Sequence, residues 1–196
     1  MAIKFISVDV ETTGRDPKRH QIIEFGAVLD DWNDPKPISK LPRFQAFIRH
    51  PTYNCEAYAA WLNQDIMGKL GGALDLEEGE QICTPGEAFS RFYDFLLEHG
   101  YKPTKSELIR FVPAGKNFHS FDGAFLIEMP EWTSRFRTFR RCLDPGILFL
   151  DVNNDDEPPD TETCLQRAGI VEDVSHRAVD DAIQIIKMLR YKLLER

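Results

Sequence analysis

The first third of the chain alternates apolar with polar residues in short runs, and the rest is dominated by longer stretches with apolar residues at three- and four-residue steps. The opening run, Phe5-Ile6-Ser7-Val8-Asp9-Val10-Glu11-Thr12-Thr13-Gly14, reads as an apolar strand that carries two acids and breaks at a glycine. A charged turn over residues 15–20 precedes a second strand from Gln21 to Leu29, and an Asp-, Asn- and Pro-rich loop leads to a third near Arg43 to Arg49. Three sequential strands on short connections predict an antiparallel meander. A helix follows Cys55, with Ala57, Trp61, Leu62 and Met67 among its apolar positions, and ends near Gly68, Gly71 and Gly72. Residues 75–80 form an acidic surface loop. Thr84-Pro85-Gly86-Glu87 then sets a capping box with proline at the first helical position, and Phe89, Phe92, Phe95 and Leu96 line one face of a helix running to about Glu98.

Beyond it, Leu108 to Ala114 reads as a buried strand leading into Gly115-Lys116-Asn117-Phe118-His119-Ser120-Phe121-Asp122, where the pattern turns helical with Phe125 and Leu126 inward. A short strand through Cys142 and Leu143 is expected next, then a loop over residues 153–160 that Asp160 closes by capping a helix holding Leu165 and Ala168. In the last helix, Ala178, Ala182, Ile185, Leu189 and Leu193 recur at helical spacing, so this face packs on the sheet. The order of elements predicts one α/β domain over residues 1–196, with no repeat or linker to divide it.

Composition narrows the setting. A chain of 196 residues can bury a core without help, so a metal, if present, serves chemistry. Cys55, Cys83, Cys142 and Cys164 show no paired spacing and suit reduced thiols. Neither a leader pattern nor a membrane-length apolar run is visible, which predicts a soluble, cytoplasmic protein with no membrane partner. The formal charge of -8 weighs against long-range attraction to nucleic acid, although acids that bind two divalent ions would offset part of it locally.

The acids of the opening strand change that picture. Asp9 and Glu11 are two residues apart, so they project from one face of a strand. Burying both costs several kcal/mol per ion unless a cation or a proton compensates, and magnesium or manganese suits their hard oxygens. The alternative is that the strand ends early and both acids face water or cap a turn. Two further blocks pair acids with functional neighbours: Asn117 to Asp122, and His176-Arg177-Ala178-Val179-Asp180-Asp181 at the start of the last helix.

With all three blocks in view, the chain resembles the DEDD superfamily of 3′→5′ exonucleases, in the histidine-containing DEDDh branch that includes polymerase proofreading subunits. The blocks occur in that family's order and span almost the whole chain. The resemblance implies a ribonuclease H-like α/β fold, a mixed five-stranded sheet with helices on both faces. It also implies metal ligands at Asp9, Glu11, Asp122 and Asp181 for two Mg2+ or Mn2+ ions, and a general base at His176. Such ions, about 4 Å apart, acidify water and stabilise charge on phosphorus. Asp9 would bridge them, Glu11 and Asp181 would complete the water site, and Asp122 would help hold the second ion. An imidazole near its reference pKa of about 6.5 is largely neutral at physiological pH and can take the water's proton. A bland role for His176 is a helix-entry residue capped by Ser175. Family spacing puts the ligand at Asp181, leaving Asp180 as an exposed acid favoured by the helix N-terminus. His20, His50 and His99 read as ordinary surface histidines, and His119 as a loop residue.

By the same resemblance, Thr12, Thr13 and Gly14 touch the terminal nucleotide, in a turn where glycine lets backbone approach a ligand. Phe121 and Trp61 offer stacking faces to unpaired bases, or else pack in the core. Arg135, Arg137, Arg140 and Arg141 either track the phosphates of a single strand or form a solvated face. The implied activity is release of nucleoside monophosphates from the 3′ end of single-stranded DNA or RNA, in a setting such as repair or proofreading, with a polymerase as one conceivable partner. Thr12-Thr13-Gly14 and His176-Arg177-Ala178 resemble the proofreading form and favour DNA. In that form the middle block reads H-N-x-x-F-D. Here Asn117 lies five residues before Asp122, with Lys116 in the histidine's place, which is similar to oligoribonuclease and other DEDDh relatives; the chain as a whole also resembles ribonuclease T. RNA trimming is therefore the enzymatic alternative, and a non-cutting polymerase accessory or nucleic-acid-binding module the alternative of another class.

Overall fold

Alternation along the first strand decides what lies on each face of the sheet. In the computed structural model, which describes residues 3–171 and 176–194, β1 (Lys4–Thr12) sends Ile6, Val8 and Val10 into one apolar cluster and Phe5 into another. Ser7, Asp9 and Glu11 share the face of Phe5. Strand β2 (Ile22–Asp31) pairs antiparallel with β1, setting Asp9 opposite Gly26 and Glu11 opposite Glu24 before the register shifts between Glu11 and Thr12. Strand β3 (Arg43–Ile48) continues the antiparallel meander as the sequence predicted.

Two edge strands differ from the expected five-stranded sheet: one is additional, raising the count to six, and the other replaces the strand expected through Cys142 and Leu143. These are β4 (Ile82–Cys83), parallel to β3, and β6 (Phe136–Thr138), parallel to β5 (Ile109–Ala114). The order is β4-β3-β2-β1-β5-β6, with β5 parallel to β1, so the sheet is mixed and β1 is central. Runs of two or three residues carry no readable periodicity, which is why β4 escaped the sequence and β6 lies earlier than expected. Leu143 contributes only an isolated bridge to Ala114.

Helices cover both faces. The helix expected after Cys55 is two, α1 (Ala57–Leu62) and α2 (Gln64–Gly71), parted at Asn63, whose ψ of 26° departs from helical geometry. Trp61 is consequently 64% exposed, not part of an inward face. Helix α3 (Pro85–Glu98) starts at the predicted capping box, Thr84 donating its N–H to Glu87 at 2.8 Å and its hydroxyl accepting from the Glu87 N–H. It packs with α4 (Asp122–Ile127) and α5 (Pro130–Thr133) over Ile6, Val8, Val10 and Phe25. After the short α6 (Pro145–Leu148), helices α7 (Thr161–Ala168) and α8 (Ala178–Leu193) cover the opposite face. Leu193, at the end of the α8 stripe, is exposed. Among the described residues no helix is long and apolar enough to cross a membrane.

Helix α8 is fixed at both ends. Near its C-terminus Arg190 grips the buried Asp30 with two nitrogens at 2.6 and 2.8 Å, a fork that fits a carboxylate. At its N-terminus the backbone of Ala178 lies so close to Gly26 that a Cβ there would stand 2.4 Å from the Ala178 carbonyl carbon. Glycine on β2 therefore lets the start of α8 descend beside the β1 acids.

Candidate active site

The parts of this site come from four places in the sequence. Asp9 and Glu11 sit on the α8 face of β1; Asp122 opens α4; Asp181 lies in the first turn of α8; His176 precedes that helix. All five line one cavity of about 660 Å³. Asp122 is held against β1 directly, its Oδ1 accepting the Val10 N–H at 3.1 Å. Glu11, Asp181 and His176 each present a ligand atom within 4.8 Å of the others. His176 is exposed and has a left-handed backbone, φ 51°. Ser175, considered as its cap, lies outside the described residues. Asp180 is exposed and does not line the cavity, as the family spacing had indicated.

So many acids in one place repel one another when charged, so they hold their protons. Burial, then repulsion from Asp122, Glu11, Asp181 and Glu24, pushes Asp9 well above the usual carboxylate range. Glu11 is pushed up to about 8 by burial and then by Asp181, Glu24 and Asp122. Asp122 rises to about 7 through burial, against the pull of backbone donors that include the Val10 N–H. The donor set fits hard divalent cations: carboxylate oxygens gathered in a partly enclosed space, with more negative charge than the protein around them neutralises.

The flanking residues divide. Thr12 and Gly14 line the cavity, and the Thr12 hydroxyl donates to the Gly14 carbonyl at 2.8 Å. Thr13 is fully buried, its hydroxyl accepting the Gln21 N–H at 2.9 Å, and it does not line the cavity. Gly14 is close-packed against the His20 ring, where a Cβ would come within 2.7 Å. His20 is thus buried inside the turn, with Nδ1 accepting the Asp16 N–H at 3.0 Å, and is not the surface histidine the sequence suggested. Phe121 lines the cavity and is 37% exposed, so its ring is not a core ring. Trp61 stands outside the lining, and its ring neighbour Tyr58 occupies the wall instead.

Sequence reasoning missed a second layer. Asn63, buried at the break between α1 and α2, lines the cavity, donates to the Thr12 carbonyl at 3.2 Å, and keeps an Oδ1 with no partner among the described residues. Behind the acids, buried Glu24 accepts the Ala178 N–H at 3.3 Å and lies 3.5 Å from the Arg177 Nε. Arg177 also contacts Glu80 at 2.6 Å, and Lys69 contacts Glu80 at 2.7 Å. The end of the acidic loop is therefore tied down, the Glu80 side chain being only 5% exposed. Proximity of Glu24 to Glu11 follows from strand register, which no local pattern reveals.

No sequence-family profile matches the chain, and no curated protein matches it in sequence. Solved structures do. The nuclease domain of 3′hExo, a DEDDh family member solved bound to rAMP, superposes with a TM-score of 0.65 at 14% identity, over 99% of this chain and 92% of that one. Cell-death related nuclease 4 gives 0.64 at 14% identity, over 96% of this chain and 63% of that one. Exonuclease I of E. coli, solved with a dA16 oligonucleotide, gives 0.54 at 15% identity, over 98% and 42%. The chain therefore shares the fold of these nucleases, the DEDDh 3′hExo domain among them. It spans under two thirds of the length of cell-death related nuclease 4 and under half that of exonuclease I.

Proposed function

We propose that this chain, as a single domain, is a metal-dependent 3′→5′ exonuclease that releases nucleoside monophosphates from single-stranded nucleic acid, DNA ahead of RNA. The observation that carries this reading is the convergence of Asp9, Glu11, Asp122, Asp181 and His176 on one open cavity. Structural likeness to nucleases supports it.

Asp9, Glu11, Asp122 and Asp181 would hold two Mg2+ or Mn2+ ions, which when bound supply an acidified water and neutralise charge on the phosphate. His176, at the exposed edge of the cavity, accepts the water's proton at a ring nitrogen as the water oxygen attacks phosphorus. The bond from phosphorus to the 3′ oxygen breaks, leaving a 5′-monophosphate and a shortened strand whose new 3′ oxygen takes up a proton. Thr12 and Gly14 bring backbone to the terminal nucleotide, and the exposed face of Phe121 receives its base.

Purified protein incubated with 5′-labelled single-stranded DNA and RNA should shorten the label stepwise with magnesium or manganese and stop with chelator. Faster shortening of RNA would reassign the substrate to RNA trimming. Binding without shortening under either ion would overturn the enzyme reading in favour of a binding module.

A further inference from the structure

At the β6 edge of the sheet lies a recess of about 560 Å³ walled by Arg110, Arg137, Thr138, Phe139, Arg140 and Arg141. Strand register creates it: β5 and β6 run parallel with Arg110 beside Arg137, and the backbone N–H of Phe139 extends the pairing to the Phe111 carbonyl at 2.9 Å. The arginine cluster read from sequence is thereby altered. Arg135 stays outside it, half-buried with its guanidinium on Ser134, while Arg110 joins from another strand.

All four arginines of the recess are exposed, and among the described residues none pairs with a carboxylate. They gather positive charge at one spot in a chain with 32 acids against 24 lysines and arginines. Like charges gathered within a Debye length of about 10 Å repel unless an anion fills the space between them. The same recess holds an aromatic ring, Phe139, 42% exposed, with the Arg110 guanidinium 4.8 Å from its centroid. Guanidinium forks suit phosphate, and a ring held by a cation suits an unpaired base. An acidic peptide would use the charge but not the ring.

A short run of chain links the recess to the acid cavity. From Arg141 the chain passes to Leu143, whose carbonyl accepts the Gly115 N–H at 3.1 Å, and to Asp144, which accepts the Asn117 N–H at 3.0 Å. Asn117 and Lys116 are walls of the acid cavity. A strand with its 3′ end among the acids can thus run along the end of β5 to the arginines.

We propose that the arginine recess is a second phosphate-binding subsite, gripping the backbone of the single strand upstream of its 3′ terminus. This rests on the exonuclease reading of the acid cavity, and makes the enzyme favour long strands over dinucleotides. The test is the triple variant R137Q/R140Q/R141Q, with R110Q as a single change on the neighbouring strand. In chelator, the anisotropy of a labelled single-stranded oligonucleotide should report about tenfold weaker binding by the triple variant, with a salt slope shallower by about 0.7 per lost contact. With metal, kcat/KM on a long strand should fall in parallel, while cleavage of a dinucleotide stays at the wild-type rate. An unchanged salt slope would overturn the subsite, as would equal losses on dinucleotide and long strand. Polyglutamate displacing the oligonucleotide at matched charge would overturn it in favour of an acidic protein partner. Wild-type protein that binds strands without cutting them would sink the exonuclease reading alone, since the anisotropy comparison still judges the recess.

Discussion

Asp122 shows at the scale of one side chain how the site depends on its backbone. Its carboxylate accepts the Val10 N–H, a donor on the same strand that carries Asp9 and Glu11, so the first turn of α4 is pinned to the centre of β1. Asp9→Asn removes charge without changing shape, and is expected to abolish metal-dependent cleavage while leaving strand binding in chelator intact; residual cleavage near wild-type rate would refute its role. His176→Ala is expected to lower kcat by about 10²- to 10⁴-fold, the range of general-base catalysis, with KM little changed. Steady-state kinetics on a short strand separate the two, and a loss confined to KM would make His176 a binding residue. Arg177, directly after His176 and before α8, is tied to Glu24 and Glu80, so it acts by positioning the residue before it and the helix after it.

Helix α8 delivers Asp181, and Gly26 decides how closely. A methyl group there would overlap the Ala178 backbone, and neither partner can swing away because one is a central strand and the other a helix start anchored by Arg190 to Asp30. Gly26→Ala should cost about 1–3 kcal/mol of stability in denaturant unfolding and lower kcat as α8 lifts from the acids. Gly71→Ala, where an added Cβ meets nothing, should leave both unchanged or slightly improved. Equal behaviour of the two variants would remove Gly26 from the account. The elements whose patterns are long were legible in advance: β1 to β3, α3 with its capping box and α8 all lie close to where periodicity put them. Periodicity failed where a break intervened, at Asn63, because a helix interrupted for one residue keeps its apolar spacing but loses its face. That break is what exposes Trp61 and turns Asn63 to the cavity.

Across the whole molecule, the acids that meet in the cavity were legible because they sit in three short motifs, whereas the Glu24, Arg177, Glu80 and Lys69 chain was not, since its members meet only through register and helix docking. Charge links the two sets to stability. Glu11 titrates near 8 and Asp122 near 7 in the fold, against 4.5 and 3.8 for the free groups, and Asp9 is raised in the same direction. With folded values above unfolded ones, the metal-free fold holds protons that the unfolded chain releases. Their favourable contribution is fully present below about pH 4 and is lost as pH rises through about 8. Asp155, lowered to about 2 by Arg167, has the opposite sign, but its contribution is lost only as pH falls toward 2, outside that window. In chelator, Tm should therefore decline between pH 5 and about 9. Magnesium or manganese, competing with protons for the same oxygens, should raise Tm little at pH 5 and by several degrees near pH 8. Scanning calorimetry of wild type beside Asp9→Asn checks both halves, because removing one acid should flatten the decline in chelator and shrink the metal shift together. A wild-type Tm that rises with pH in chelator, or a metal shift of the same size at both ends, would mean that these carboxylates do not face one another across a shared ion site.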